Sequence, residues 1–274
     1  MKNSTRLLTI AIPTFNRAKN LDKLLRQFLD ENLDNVEITI PDDASQDDTT
    51  EIISQYVRKL PLRFVRQKTN IGFNSNIRTL YELADSRYIW FLCDDDTIYK
   101  NAVDTVKKAL IEYEPVVAVF STSWIDPYGR KRIADTLHTK LYTQLNEFDT
   151  YQPLMRTTFL SIVVIEKRKS IEDITKTDYK NNIFFQLSLS IYLLSDKMRF
   201  LEYHSSPIVH RNVGFKYGEF FKFYLVDHLK AVESVPNFFD FQLFVDWSHK
   251  NLSNALQLYL SQKLGLYRYN GNPT

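Results

Sequence analysis

The sequence contains one cysteine and no long apolar run, and these two absences limit the class of protein. Because Cys93 is its single thiol, the chain can form no intramolecular disulfide, which fits a reducing compartment. No apolar stretch approaches the ~20 residues that a membrane-spanning helix needs. The N-terminal run "LLTIAIPTF" is too short for a secretory signal and is interrupted by Pro13. We therefore expect a soluble, cytoplasmic protein.

A strong charge of either sign is also missing. The 274 residues include 35 basic and 33 acidic side chains, which gives a net charge of +2. Because the two signs are spread throughout the chain, there is no electrostatic reason to expect a nucleic-acid partner. Hydrophobic residues make up 44% of the sequence, enough to bury a sizeable core in one large or two small domains.

Glycine is scarce, and this excludes two common classes of nucleotide-binding protein. The chain has six glycines, and neither G-x-G-x-x-G nor G-x-x-x-x-G-K-[ST] occurs in it. These patterns place backbone amides around phosphate groups, so their absence argues against a dinucleotide-dependent dehydrogenase and against a P-loop enzyme.

The first half of the sequence alternates between strand and helix patterns. Short runs of strand type occur at 7–12, 36–40, 62–65, 88–93 and 116–120, with apolar residues at helical spacing between them. This alternation predicts a parallel sheet covered by helices on both faces. Such sheets bind ligands beyond the carboxyl ends of their strands, and "PTFNR", "PDDAS", "KTNIGFN" and "DDDT" follow the first four strands.

The second half is less regular. A strand is predicted at 159–166, a largely buried helix at 181–195, and a strand and a turn at 198–212. From Gly218 onward the sequence predicts two helices rich in aromatic residues. We expect residues 126–215 to be built onto the sheet begun by residues 1–125, with residues 216–274 as a helical extension.

The segment "YIWFLCDDDTIY" carries three adjacent carboxylates directly after a buried strand: Asp94, Asp95 and Asp96. Rigidly held carboxylates suit a hard divalent cation, which would relieve their mutual repulsion and bridge to a diphosphate. The alternative is the N-terminus of the next helix, where Asp is favoured. That alternative accounts for one aspartate, Asp96, but poorly for three.

A second acidic pair, Asp42 and Asp43, follows the second strand in "PDDASQDDTT". Ser45, Asp47 or Asp48 is expected to cap the helix that comes next. The pair itself could accept hydrogen bonds from a base or a ribose. We therefore predict that acidic residues from two neighbouring strands face one shared pocket.

Taken together, "LLTIAIPTFNR", "VEITIPDDASQDDT", "QKTNIGFNSNI" and "YIWFLCDDDTIY" resemble the family 2 glycosyltransferases of the GT-A fold. The resemblance covers roughly the first 125 residues, with the motifs in order. It implies an α/β fold with a Rossmann-like, mostly parallel sheet flanked by helices. It also implies an enzyme that moves a sugar from a nucleotide-sugar donor to a hydroxyl of a glycan or lipid-linked acceptor, in bacterial polysaccharide synthesis.

The resemblance also assigns the donor site. The loops after the first three strands would hold the nucleotide, with Asp43 reading the base and Arg78 replacing an arginine whose usual position is Ile77 here. The acidic segment would hold Mg²⁺ or Mn²⁺ through Asp94 and Asp96, with Asp96 as the direct ligand and Asp94 or Asp95 on the ribose. The full set of nucleotide residues is Pro13, Thr14, Asn16, Asp42, Asp43, Asn70, Gly72, Asn76, Arg78, Asp94 and Asp95.

The catalytic base is where the sequence departs from the family. Most members invert the anomeric centre and use an acid of a Glu-Asp pair, but Phe185 and Gln186 occupy that place here. Glutamine cannot act as a general base. Asp178 is the first candidate to replace it, and His204 and His210 are alternatives, although a structural role is favoured for either histidine taken alone. His210 can also bind the metal or a phosphate, as late histidines do in some GT-A enzymes.

Other readings remain open for the protein and for its aromatic C-terminal region. Three roles are open for that region, in order of preference: packing on the sheet, stacking on a sugar acceptor, or contact with a membrane that carries a lipid-linked acceptor. A homodimer is a further open expectation. A nucleotidyltransferase is expected to have a basic glycine-rich loop after strand one, and "PTFNRAKN" contains no glycine. A signalling receiver domain would account for only half of the chain. An inactive glycosyltransferase-like binding protein is kept open by the missing acidic pair.

Overall fold

The computed structural model describes residues 6–125, 130–134, 138–148, 152–168 and 185–211, and the predicted C-terminal helices lie outside these ranges. The helices are α1 (Ala18–Phe28), α2 (Thr49–Tyr56), α3 (Phe73–Leu83), α4 (Ala102–Tyr113), α5 (Gln152–Met155) and α6 (Phe185–Asp196). The strands are β1 (Arg6–Ala11), β2 (Val36–Asp42), β3 (Leu62–Arg66), β4 (Ser86–Phe91), β5 (Thr97–Ile98), β6 (Val117–Phe120), β7 (Thr122–Ile125), β8 (Lys131–Ala134), β9 (Lys140–Tyr142), β10 (Val163–Glu166), β11 (Phe200–Tyr203) and β12 (Val209–Arg211).

An eight-stranded sheet forms the centre of the molecule, in the order β3-β2-β1-β4-β10-β6-β11-β9. Strands β10 and β9 run antiparallel to their neighbours, and the other six are parallel. In register, Ile10 of β1 pairs with Ile38 of β2 and with Trp90 of β4. All three side chains are buried, as expected for parallel strands that are covered on both faces. The prediction of an α/β fold with a mostly parallel sheet is confirmed.

Helix α1 illustrates how the periodic segments cover the sheet. Leu21, Leu24, Leu25 and Phe28 recur at helical spacing and are all fully buried. Burying each such side chain stabilises the fold by about 2 kcal/mol before entropy costs. The helix also contacts α2, where the Tyr56 hydroxyl donates a 2.6 Å hydrogen bond to Asp22.

A second, four-stranded sheet has the order β5-β12-β7-β8, and the sequence did not predict it. Its strand β5 comes directly after the acidic segment and pairs antiparallel with β12, so that Thr97 lies opposite His210. A two-residue strand that pairs with residues more than 100 positions away leaves no local pattern to detect. The acidic segment is thus held between the large sheet at β4 and the small sheet at β5.

In the second half of the described chain, β9, β10 and β11 join the large sheet, and β7, β8 and β12 belong to the small one. Strand β10 is shorter than the predicted 159–166, because Leu160–Ile162 forms a 3-10 turn before it. The expected strand and turn near 198–212 are present as β11 and β12 around a bend. None of the helices in these ranges has the length and apolar character needed to span a lipid bilayer.

Candidate active site

A cavity of about 330 Å³ opens where β1, β2 and β4 end and α3 begins. This is the edge of the sheet at which the sequence predicted a ligand site. It is lined by Pro13, Thr14, Phe15, Arg17, Asp43, Asn70, Gly72, Phe73, Asn76, Cys93, Asp94 and Asp95. The structure therefore brings together Pro13, Thr14, Asp43, Asn70, Gly72, Asn76, Asp94 and Asp95 of the predicted nucleotide residues.

Asp43 fixes the loop that forms one wall of the cavity. Its two carboxylate oxygens accept hydrogen bonds from the backbone amides of Ile71, at 2.7 Å, and Gly72, at 2.9 Å. Its own amide donates to the Thr14 carbonyl oxygen at 2.9 Å. Asp43 thus ties the loops after β1 and β3 together while its side chain lines the cavity.

Asp42 does not line the cavity, so the expectation that both aspartates face one pocket is wrong for this residue. Strand β2 extends through Asp42, and adjacent side chains of a strand point to opposite faces. The buried Asp42 carboxylate instead accepts from the Ser45 amide at 3.1 Å and lies 3.5 Å from Arg66 Nε. It organises the turn that follows β2.

Asn76 and Gly72 shape the wall at the start of α3. Asn76 is buried and its amide nitrogen donates to the Pro41 carbonyl oxygen at 3.0 Å. Its Oδ1 has no hydrogen-bond partner in the part of the chain that the structure describes, so an acceptor is available beside the cavity. Gly72 adopts φ 85°, a conformation that side-chain-bearing residues rarely adopt. Asn70 Oδ1 accepts from the Gly72 amide at 3.0 Å.

Besides Asp42, two predicted nucleotide residues, Asn16 and Arg78, lie outside the cavity lining. Asn16 has φ 52° and its Oδ1 accepts from the Gln46 amide at 2.7 Å, which braces the loop after β1 against the loop after β2. Arg78 points along α3 and forms an ion pair with Glu82 at 3.0 Å. Helical spacing explains this, because residues i and i+4 are neighbours on a helix surface.

The first aspartate of the acidic segment is tied to the loop after β1. The Thr14 hydroxyl donates a 2.7 Å hydrogen bond to Asp94 Oδ2. Burial raises the pKa of Asp94 to about 6, against the opposing effect of this hydrogen bond, and the neighbouring Asp95 carboxylate adds to the increase. A carboxylate that burial makes costly to ionise is suited to a site that receives positive charge.

The other two aspartates lie where a cation could bind. The ligand atoms of Cys93, Asp95 and Asp96 lie within 4.8 Å of one another. The two carboxylates fit Mg²⁺ or Mn²⁺, whereas burial raises the pKa of the Cys93 thiol and keeps it from ionising. This geometry groups Asp95 with Asp96; the assignment of the ion to Asp94 and Asp96 stays a prediction. Asp96 does not cap α4, which begins at Ala102, and Glu31 accepts from the Asn101 and Val103 amides there.

Several residues at this site were not predicted from the sequence. Arg17 Nη1 lies 3.7 Å from Asp95 Oδ2, and its place in "PTFNR" after β1 was a usable signal. Phe15 and Phe73 line the cavity with exposed rings. Ser161 Oγ accepts a 2.9 Å hydrogen bond from the Cys93 amide. The two residues are 68 positions apart, so no local sequence pattern predicts this contact.

Of the candidate bases, the structure describes the two histidines, while Asp178 lies outside the described residues. His210 Nδ1 lies 3.0 Å from Ser123 Oγ, which is 2.8 Å from the Tyr99 hydroxyl. Desolvation lowers the pKa of His210, with Lys131 and Lys23 adding to the effect, so the neutral imidazole is favoured. His204 is exposed, and its backbone amide donates to Thr139 Oγ1 at 3.1 Å.

Gln186 occupies the position at which the family resemblance places an acid. Its side chain is buried, and Nε2 donates to the Thr158 carbonyl oxygen at 2.9 Å. The glutamine therefore holds α6 against the 3-10 turn Arg156–Thr158 and offers no group for proton transfer.

Comparison with known proteins connects this site to a family. The family model "Glycosyl transferase family 2" matches residues 9–167, which include the whole cavity. A GalNAc(5)-diNAcBac-PP-undecaprenol beta-1,3-glucosyltransferase of Campylobacter jejuni is 31% identical over 102 residues, covering 36% of this chain and 33% of its own length. The poly(ribitol-phosphate) beta-N-acetylglucosaminyltransferase TarS of Staphylococcus aureus is 25% identical over 287 residues, 96% of this chain and 45% of TarS.

A solved structure shares the fold. The crystal structure of S. aureus TarS residues 1–349 in complex with UDP superimposes with a TM-score of 0.64 at 15% identity, covering 82% of this chain and 65% of that one. At this identity the match shows the fold alone. The chain spans less than half the length of the curated relatives that it matches.

Proposed function

This chain belongs to glycosyl transferase family 2, and from that premise we propose that it transfers a sugar from a nucleoside-diphosphate sugar to a hydroxyl of a glycan or lipid-linked acceptor. One observation carries the proposal. The cavity at the carboxyl ends of the strands brings Asp43, on the nucleoside side, together with Asp94 and Asp95 of the acidic segment. UDP bound by the TarS structure and the undecaprenol-linked acceptor in the Campylobacter protein's name support this substrate class.

The donor nucleoside would lie between the loops that Asp43 joins. Phe15 and Phe73 offer apolar ring faces against which a flat base can stack. Asn76 Oδ1 offers a buried acceptor without a partner in the described chain. An acceptor that gains a donor only when ligand binds would favour a base that carries an N–H group at its edge.

The diphosphate end would lie at the acidic segment. Asp95 and Asp96 would hold Mg²⁺ or Mn²⁺, which would act as a Lewis acid on the leaving diphosphate. Thr14 orients Asp94 toward the same cavity, where its carboxylate can accept from a ribose hydroxyl. Dependence on a metal is part of the proposal and rests on this donor set.

The transfer itself would follow a single displacement with inversion, as the family resemblance implies. The acceptor oxygen forms a bond to the anomeric carbon while the bond from that carbon to the diphosphate oxygen breaks. The nucleoside diphosphate leaves with the electron pair, and the acceptor proton passes to a base. His210, whose lowered pKa favours the neutral imidazole, is the favoured candidate base among the described residues; Asp178 remains the other candidate. An acceptor at the inner face of a membrane stays a prediction.

A thermal-shift panel tests the donor assignment. UDP, GDP, CMP and dTDP are each added with and without Mn²⁺, and one diphosphate is expected to raise Tm only with the metal present. The Asp96→Asn variant should lose the metal dependence. If no nucleotide raises Tm in either condition, the proposal fails.

A binding result alone would leave the inactive-homologue reading standing, so turnover is the second test. Hydrolysis of the matching nucleotide sugar without acceptor is measured over hours. Release of free sugar that depends on Mn²⁺ and on Asp96 supports an enzyme. Tight binding without any sugar release, with or without added glycan acceptors, favours a binding protein.

A further inference from the structure

The charges that line the cavity do not suit a diphosphate as they stand. The ionisable side chains on its wall, leaving the buried thiol aside, are Asp43, Asp94, Asp95 and Arg17. Arg17 is the one basic side chain among the described residues that form this wall. A diphosphate brings further negative charge, so it needs both a metal ion and any cation that the protein can supply. Arg17 is therefore the protein's own candidate for that role.

Within the site this cation is paired with an acidic side chain. Arg17 Nη1 lies 3.7 Å from Asp95 Oδ2, with 50% of the Arg17 side chain and 35% of the Asp95 side chain exposed. A pair at this distance and exposure is weak, because water screens it. The contact can therefore be exchanged at little cost.

The guanidinium group of Arg17 can move while the backbone of residue 17 stays fixed. Arg17 directly precedes α1, whose first residue Ala18 is buried, and the Ala18 amide donates a 3.1 Å hydrogen bond to Asp47 Oδ2. The Arg17 amide itself donates to Thr49 Oγ1 at 3.4 Å. The backbone is thus held at two successive residues, and the long side chain can swing from one partner to another across the cavity.

Asp95 forms this ion pair with Arg17. It also belongs to the cluster with Asp96 whose carboxylates suit a divalent metal. We propose that Arg17 is the counterion of Asp95 in the empty site, and that Asp95 exchanges it for the divalent cation while Arg17 transfers to the donor diphosphate. The diphosphate part of this inference rests on the function proposed above. The exchange makes the two ligands cooperative, because each one releases the group that the other needs.

The proposal predicts effects of opposite sign from one substitution. In Arg17→Met, Mn²⁺ alone should bind about fivefold more tightly, equivalent to about 1 kcal/mol, because the Arg17 guanidinium no longer competes for Asp95. UDP without metal should bind about tenfold more weakly, because its diphosphate loses a cation. Arg17→Lys, which keeps the charge, should restore much of both affinities. The backbone hydrogen bonds of residue 17 are unchanged in both variants.

The experiment uses the full chain and two separate titrations. Free Mn²⁺ is followed by electron paramagnetic resonance, and UDP binding in EDTA by calorimetry, for the wild type and each variant. Arg26→Met is the matched control, because Arg26 lies on α1 in a surface ion pair with Asp22 and outside the cavity. It should leave both affinities unchanged.

The outcomes separate this proposal from the proposed function. Mn²⁺ affinity that is equal or lower in Arg17→Met overturns the exchange, even when the wild type binds UDP as expected. A wild type that binds Mn²⁺ but no nucleotide defeats the donor assignment, while the Mn²⁺ titration still judges the competition for Asp95. A wild type that binds neither ligand overturns both.

Discussion

Thr14 donates a hydrogen bond of 2.7 Å to Asp94, across two neighbouring parallel strands and 80 residues of chain. The Asp94 carboxylate lies at the end of a buried strand, and one neutral hydroxyl compensates only part of the cost of burying its charge. Asp94 is therefore a residue that the fold holds at an energetic disadvantage. This has a measurable consequence.

Replacing Asp94 with asparagine should stabilise the metal-free protein at pH 7. The folded pKa of Asp94, about 6, lies above the ordinary value of 3.8, so the folded state binds more protons and loses stability as the pH rises from 4 to 6. Asp94→Asn removes that loss, by up to roughly 3 kcal/mol at pH 7. Urea unfolding in EDTA at pH 4 and pH 7 measures it.

The gain should vanish near pH 4, where the wild-type carboxyl is protonated as well. Asp104→Asn is the control, because Asp104 is exposed on α4 and pairs with Lys107 at 3.4 Å; it should change stability little at either pH. A destabilised Asp94→Asn at pH 7 would contradict the burial argument.

A reciprocal pair of substitutions should move stability in opposite directions at the two loops of the cavity. Gly72 has φ 85° and Ala44 has φ 64°. A Cβ at position 72 meets no heavy atom within 4 Å, so Gly72→Ala should cost about 1–3 kcal/mol through backbone strain alone, because φ 85° with ψ 158° is a conformation essentially restricted to glycine. Ala44→Gly should raise the free energy of unfolding by up to about 1 kcal/mol, because glycine relieves the strain of a positive φ. Unfolding midpoints of the two variants decide the point, and a shift of equal sign in both would count against it.

Restoring the family's acid at position 186 should damage the protein and supply no base. Gln186 Nε2 donates to the Thr158 carbonyl oxygen in a buried setting, and a glutamate there would point a carboxylate at a carbonyl oxygen. We expect Gln186→Glu to lose about 2 kcal/mol of stability at pH 7, with part of the loss recovered at pH 5 as the acid protonates. Gln186→Met serves as the comparison, because it removes the donor without adding charge and should cost less. Stability equal to the wild type would show that α6 can rearrange.

His210 should titrate below the ordinary value of 6.5 in the folded protein. Desolvation, Lys131 and Lys23 all lower its pKa, so the folded state binds fewer protons, and stability is lost as the pH falls from 6.5 through the folded pKa. Lys131→Met should raise the midpoint, as followed by histidine NMR signals. Lys59→Met removes the same charge beside the Tyr56 ring and should leave it unchanged. A His210 midpoint above 6.5 would contradict the expectation.

Local patterns in the sequence predicted much of the sheet and the place of the site. Strands β1, β2 and β3 agree with their apolar runs to within two residues, because the runs are short and end at polar segments. Position along the chain then puts the polar segments at one edge. Thus eight of the predicted nucleotide residues line the cavity.

What the sequence could not show depends on contacts between distant residues or on side-chain direction. The antiparallel insertion of β10 pairs Val164 with Trp90, and β12 places His210 opposite Thr97; neither leaves a trace in a short window. The error at Asp42 arose from ending β2 too early, since a strand that continues through this residue turns it away from Asp43. Arg17 follows β1 in the sequence, but its role depends on its contact with Asp95, which the sequence alone does not show.

Asp43 holds the neighbouring loop by accepting hydrogen bonds from the main-chain amides of residues 71 and 72. Every amino acid except proline supplies that amide, so the side chain at position 71 takes no part in fastening the loop. Ile71 and Phe73 are both exposed. These two positions can therefore be randomised to vary the surface of the loop beside the cavity, while nearly every variant of such a library keeps the two hydrogen bonds that hold the loop in place.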